Sequence, residues 1–245
     1  MPSIILNKIL NKIDVHLKGL QIKQCKENLK KAGYDKLFAD AENDAFPPEY
    51  FDLWTLATEI NRIKPKHVLE YGSGWSTYII AETLNRIGGD WKITSVELDE
   101  NWKKVTESRL GNLKSNVDLI SPKSEIWLCG SKPLNKGGLW YRSEKGGKRQ
   151  FGIASIVFPE LHTLSPEFIY LDGPGGEQIE GFRDAIDGKP FKPMVADPLF
   201  IKNGYTMVVD ARRANCTFLA ANFNRKFTSK THHANHFTVF DIEPV

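Results

Sequence analysis

Two rhythms of apolar positions run along the chain. Leu6, Leu10, Ile13, Leu17 and Leu20 recur at helical spacing with Lys8, Lys12 and Lys18 off that stripe, which predicts an amphipathic N-terminal helix. A second helix is predicted over Ile22–Ala32. A third runs from Glu49 to Arg62, after the break at Phe46-Pro47-Pro48 and before Pro65. From Lys66 onward, short and nearly continuous apolar runs alternate with helical segments. Strands are predicted at Lys66–Tyr71, Trp91–Glu97, Asn116–Ile120, Phe168–Leu171 and Tyr205–Val209, with Lys226–Lys230 and His236–Ile242 as a closing pair. Helical segments are predicted at Ser76–Ile87, Glu100–Leu113, Gln178–Asp187, Met194–Ile201 and Arg213–Asn222.

Strands that are apolar on consecutive positions, alternating with helices, imply a parallel sheet covered on both faces. The expected fold is α/β: a seven-stranded, mostly parallel, doubly wound sheet with an antiparallel closing strand. An N-terminal helical extension (1–45) precedes the main domain (46–245). Residues 121–166 break the alternation between the third and fourth strands. Their Gly137-Gly138 and Gly146-Gly147 pairs, flanked by Leu139-Trp140-Tyr141 and Phe151-Gly152-Ile153, suggest a hairpin-like insertion.

Composition adds limits. A chain of 245 residues suits one domain with a sizeable core, and a net charge of +3 does not by itself imply nucleic acid as a partner. Positive charge is concentrated in two places. Residues 1–36 carry eight lysines against Asp14, Glu27 and Asp35, and residues 123–149 carry seven basic groups against Glu125 and Glu144. The first stretch packs on its own domain, on a second copy to give a homo-oligomer, or on an anionic membrane surface. It is too interrupted by lysine for a signal peptide and too short to span a bilayer, so a cytoplasmic protein is expected. Cys25, Cys129 and Cys216 have neither metal nor redox spacing and are odd in number, against a disulfide framework.

The chemistry is concentrated at strand ends. His67–Thr77 (HVLEYGSGWST) is an apolar strand that ends in Glu70, breaks into Gly72 and Gly74, and passes into a helix at Ser76. Twenty-seven residues after Glu70, Glu97 ends the next strand. This places a nucleotide-type cofactor across the carboxyl ends of a parallel sheet, with glycines admitting it closely and Glu97 accepting hydrogen bonds from ribose hydroxyls. Asp172, in Asp172-Gly173-Pro174-Gly175-Gly176, and Asp210, after Met207-Val208-Val209, end the fourth and fifth strands. Two neighbouring carboxylates there suit a shared hard cation, a substrate contact or turn capping. His232 and His233 follow the sixth strand. Either could deprotonate an acceptor, or belong to a solvated turn, and with His236 they lack partners for a zinc site. Trp140, Tyr141, Arg142, Lys145, Lys148 and Arg149 could grip an anionic acceptor or form a solvated charge run.

From Phe46 to Val245 these residues resemble the class I S-adenosylmethionine-dependent methyltransferases. Glu70–Ser76 (EYGSGWS) looks like the family's glycine-rich first motif, with Ser76 where a third glycine often stands, and Glu97 matches the ribose-binding acid. The lead-in at Phe46-Pro47-Pro48 is similar to the catechol O-methyltransferase branch, in which acids at the ends of strands four and five help to hold magnesium. The resemblance thus implies S-adenosyl-L-methionine as cofactor, contacts from Glu70, Gly72, Gly74, Ser76, Glu97 and Asp172, and Mg2+ at Asp172 and Asp210. Two positions depart from that branch: Ala211 stands where it has an asparagine ligand, and Gly175 where it has a basic lysine. The Asp-Gly-Pro-Gly turn also differs from the Asn/Asp-Pro-Pro-Tyr turn of nucleic-acid amino methyltransferases. The expectation is O-methylation of a small-molecule acceptor, with no nucleic-acid partner. A nicotinamide-dependent oxidoreductase is the rival, although Thr77 occupies the dinucleotide motif's last glycine position. A non-catalytic module that retains the fold is the third reading.

Overall fold

The computed structural model describes residues 19–40, 48–129, 153–185, 193–232 and 237–245. Residues 19–31 form helix α1, followed by α2 (Asp35–Asp40) and α3 (Tyr50–Ile63). The alternating part then runs β1 (His67–Tyr71), α4 (Trp75–Ile87), β2 (Lys92–Val96), α5 (Glu100–Leu110), β3 (Val117–Ile120), β4 (Glu125–Cys129), β5 (Ile153–Val157) and β6 (Phe168–Leu171). It ends with α6 (Phe182–Ala185), β7 (Met194–Val195), β8 (Tyr205–Asp210), α7 (Arg213–Asn222), β9 (Phe227–His232) and β10 (Phe237–Ile242).

Seven strands form the main sheet in the order β3-β2-β1-β6-β8-β10-β9. The five from β3 to β8 are parallel, and β10 is antiparallel to both β8 and β9. After β1 the chain turns to β2 on one side, and it later returns to place β6 on the other. The carboxyl ends of β1 and β6 therefore flank the switch point of the sheet, where α/β folds open a crevice.

Side-chain alternation explains why both faces are dry. Val68, Phe168, Tyr170 and Val208 pack against α1–α4 through Leu29, Leu37, Leu56, Ile60, Ile79 and Leu84. Leu69, Tyr71, Ile169, Leu171, Met207 and Val209 face the other way, onto Ile156, Val157, Val195 and the α7 residues Phe218 and Leu219. Neighbouring residues of one strand thus enter different cores, which is why apolar residues stand at consecutive positions and the few polar ones, such as Glu70 and Ser95, bond to each other.

The expected strands and most expected helices are present, but Met194–Ile201 is a correction. It forms the two-residue β7 and a 3-10 turn at Asp197–Leu199 instead of a helix. Met194 and Val195 extend a second sheet of order β4-β5-β7, and Pro198 lacks the N–H a continuing helix needs. The segment expected to be helical over Gln178–Asp187 is helical only at Phe182–Ala185, after a 3-10 turn at Gly176–Gln178. Within the 121–166 insertion, β4 pairs with β5 antiparallel from Glu125↔Val157 to Cys129↔Ile153. The basic hairpin residues 140–149 lie outside the described residues, as do Leu6–Leu17, His233 and His236.

Tyr71 shows the stringency of this packing. Its ring is fully buried against Phe158 at 6.2 Å, and its hydroxyl has no hydrogen-bond partner among the described residues. Because a buried hydroxyl left unmade costs desolvation energy, Tyr71→Phe should leave stability unchanged or raise it by about 1 kcal/mol, as measured by urea unfolding. A loss of more than about 1 kcal/mol would show that the hydroxyl is bonded.

Candidate functional site

The turn after β1 is held from beneath by a buried acid. Glu70 is wholly inaccessible, and its Oε2 accepts hydrogen bonds from Ser95 Oγ and Thr77 Oγ1, each at 2.7 Å. The Gly74 N–H in turn donates to Thr77 Oγ1 at 2.9 Å. One carboxylate thus ties β1 to β2 and to the first turn of α4, where Ser76 also lies. Burial pushes Glu70 up to about 7, against the opposing pull of hydrogen bonds from Ser76, Thr77 and Ser95.

Gly72 has a φ of +89° and donates its N–H to Val96 O at 2.9 Å. A Cβ on Gly72 would lie 3.0 Å from Gly173 N, and one on Gly173 would lie 2.8 Å from Gly72 N and Cα. The turns after β1 and β6 therefore meet backbone to backbone, a demand for glycine additional to any cofactor contact. Gly74, at φ +155°, caps α4, and a Cβ there would reach the Trp102 ring at 3.6 Å.

Glu97 sits beside this turn at 4% exposure. Its Oε2 accepts from Ser73 N at 3.1 Å and Ser73 Oγ at 2.9 Å, and its Oε1 accepts from Asp99 N at 3.0 Å. Two further residues line the turn without having stood out in the sequence. Trp102 Nε1 donates to Ser73 O at 2.6 Å, and the Arg109 guanidinium lies between Trp75 (4.6 Å) and Trp102 (4.8 Å). Trp75, Trp102 and Arg109 occur on two helices, so only folding brings them together.

Across the Gly72–Gly173 contact lies an acidic group. Asp172 follows β6 and is exposed, whereas Asp210 ends β8 and is half-buried. Helix α3 brings two more acids. One carboxylate oxygen from each of Glu49, Asp52 and Asp210 lies within 4.8 Å of the others. Burial raises Asp52 well above the carboxylate range, reinforced by its hydrogen bond with Glu49 and by the charges of Asp210, Glu49 and Asp172. Burial likewise raises Asp210, with Asp172 and Glu49 adding to it and Tyr170 opposing. Glu49 and Asp52 were not singled out from the sequence. The signal for Asp52 was its place on the buried stripe of α3, one turn before Leu56 and two before Ile60.

His232 ends β9, which runs parallel to β8, so it lies at the same sheet edge as Asp210. Register aligns Asp210 with Phe237 and Phe237 with His232. The imidazole stacks on Phe237 at 4.3 Å, and Phe237 meets Phe51 of α3 at 5.5 Å. Burial and then the Lys230 charge lower its pKa, favouring the neutral ring that can accept a proton.

The burial of Glu70 makes a pH prediction. Its folded pKa, about 7, exceeds the unfolded value of 4.5, so folding favours the protonated acid. That contribution is full below pH 4.5 and is lost as pH rises through 7. Glu70→Gln imitates the neutral acid at every pH. The stability of the cofactor-free wild type relative to Glu70→Gln should therefore fall by up to about 3 kcal/mol between these limits. Urea unfolding at pH 5 and pH 8 measures it, and a pH-independent difference would contradict the assignment.

Neither a protein-family model nor a curated protein matches this chain. Solved structures do. A candidate O-methyltransferase from Klebsiella pneumoniae superposes with a TM-score of 0.55 at 14% identity, covering 93% of this chain and 100% of the other. The cofactor-bound protein Rv0187 from MTB superposes with a TM-score of 0.50 at 14% identity, covering 89% and 91% respectively. The chain has the α/β Rossmann-like fold of the methyltransferases: a seven-stranded, mostly parallel sheet with antiparallel strands at one edge.

Proposed function

We propose that this protein is an S-adenosylmethionine-dependent methyltransferase that methylates oxygen on a small-molecule acceptor. One observation carries the reading: the Gly72–Ser73–Gly74 turn, with Glu97 bonded to Ser73, meets the Asp172-Gly173 turn at the switch point of a methyltransferase-type sheet. A cofactor acid and the strand-end acids then flank one crevice. The O-methyltransferase-like fold of the Klebsiella pneumoniae protein supports the same reading. Under a dinucleotide reading, Glu70 would stand beneath a pyrophosphate, where negative charge is unfavourable.

The residues fit S-adenosylmethionine, because a positively charged cofactor suits a crevice bordered by Glu97 and Asp172, with Glu70 beneath its glycine turn. When bound, it supplies a methyl group already activated on a sulfonium. The chain then has to hold and align. Glu97 would exchange Ser73 for ribose hydroxyls as donors, Glu70 and Thr77 would keep the turn rigid, and Asp172 would face the methionine end. Positioning of this kind is worth up to roughly 7–11 kcal/mol of barrier. Asp210 and His232, at the acceptor edge, are the groups that could take the acceptor's proton.

Mg2+ fits the acids of this edge as a hard cation with oxygen donors. Asp210 would hold it together with Glu49 and Asp52, whose carboxylate oxygens meet its own, and Asp172 would join them as the family resemblance suggests. Bound there, it would supply positive charge that favours an ionised acceptor oxygen. The anionic acceptor expected from residues 137–150 rests on side chains outside the described residues, and the described edge is acidic. No described helix is long and apolar enough to cross a membrane. Free Cys25 and Cys216 agree with a cytoplasmic location.

Two outcomes test these proposals. S-adenosylhomocysteine should bind by calorimetry, with NAD giving no heat, and Glu97→Gln should weaken it about tenfold through loss of charge-assisted hydrogen bonds. Equal affinity in a folded Glu97→Gln variant would remove Glu97 from the site. Mg2+ titrated at pH 7 should displace protons from Asp52 and Asp210, whose raised pKa values leave them partly protonated. The binding heat would then scale with the buffer's ionisation enthalpy. A heat independent of buffer, or no binding, would refute the metal site.

A further inference from the structure

Arg212 carries an inference that rests on the methyltransferase reading and deepens it. It is 6% exposed and caps α7, two residues beyond Asp210. All its described hydrogen bonds go to main-chain carbonyls. Nε donates to Asp172 O at 2.9 Å, Nη1 to Pro193 O at 3.2 Å, and Nη2 to Pro174 O. The intervening Ala211 has a φ of +46°, a conformation that costs energy for a residue with a Cβ and persists only where its surroundings impose it.

The position of these bonds matters more than their number. The parallel ladder between β6 and β8 ends at Leu171↔Val209, so no rung of it joins Asp172 directly to Asp210. Arg212 bridges the turns immediately beyond that last rung, and it also holds both ends of the connection from Asp172 to Pro193. The Gly173 it restrains is the residue packed on Gly72. A continuous path therefore runs from the β8 turn, through the Asp172–Pro174 turn, to the glycine turn of the cofactor crevice. Its guanidinium also lies within the electrostatic reach of Asp172, Asp210 and Glu177, placing a fixed positive charge among these acids.

We infer that Arg212 is the positioning residue of the site, setting the strand-end acids Asp172 and Asp210 against each other and seating the glycine turn that receives the cofactor. The guanidinium fork gives each of the three carbonyls its own nitrogen. A lysine ammonium keeps the charge but on a single point.

The test compares wild type, Arg212→Lys and Arg212→Ala as full chains, by S-adenosylhomocysteine calorimetry alongside thermal unfolding. Arg212→Lys should fold yet lose at least about tenfold in affinity. Arg212→Ala should lose more and recover part of it when millimolar guanidinium ion is added, whereas ammonium should restore nothing. Should the lysine variant not fold, the guanidinium arm decides alone, and failure to restore binding overturns the proposal. Wild-type affinity in Arg212→Lys overturns it while leaving the methyltransferase reading intact. If the wild type itself does not bind S-adenosylhomocysteine, that reading fails and takes this role of Arg212 with it.

Discussion

The turns after β1 and β6 touch backbone to backbone, and the site depends on that approach. It requires two glycines, because a Cβ on either would meet main-chain atoms at 2.8–3.0 Å. It also requires β1 and β6 to end at the same level, which their parallel register from Val68↔Phe168 to Tyr71↔Leu171 ensures. The register is set in turn by apolar side chains that alternate into two separate cores, where a slip of one residue would exchange every partner. A packing constraint in the middle of the sheet thereby becomes a distance between functional groups at its edge.

Around that contact the protein keeps several acids under cover. Glu70 and Glu97 are both buried but differ in their surroundings. Glu97 receives two main-chain N–H groups and the Ser73 hydroxyl. Glu70 receives hydroxyls alone within a sealed site and is shifted towards the protonated form. A similar contrast runs along the edge that holds Asp172 and Asp210. Asp172 is open to solvent, while Asp52 and Asp210, enclosed and close to other acids, are driven towards protonation. The proposed sulfonium cofactor and divalent cation would each bring positive charge to these acids, beside the one that Arg212 already provides.

Where the reading of the chain missed, the reasons are physical. Met194–Ile201 has the apolar content of a helix segment, yet the free edge of β5 offered Met194 and Val195 ladder hydrogen bonds, and Pro198 prevented the alternative. Arg212 is one of two adjacent arginines in Asp210-Ala211-Arg212-Arg213. Nothing local distinguishes it from the exposed Arg213, because its partners are carbonyls some 20 to 40 residues away in the chain. Glu49 and Asp52 were passed over for the same cause, since their neighbour Asp210 lies far along the sequence.

The sequence by itself determined the layered α/β class with its mostly parallel sheet, and the candidate residues Glu70, Gly72, Gly74, Glu97, Asp172 and Asp210. These are features of local spacing: a short, nearly continuous apolar run, a glycine break, an acid at the end of a strand. Only the tertiary structure decided what those residues do to one another. That Gly72 serves a glycine on another strand, that Glu70 lies beneath the turn instead of lining it, and that α3 brings carboxylates to Asp210 all depend on contacts between distant segments. Such contacts form once the two apolar faces of the sheet are covered, and hydrophobic burial, being non-directional, leaves no mark in the sequence of which polar groups it will bring together.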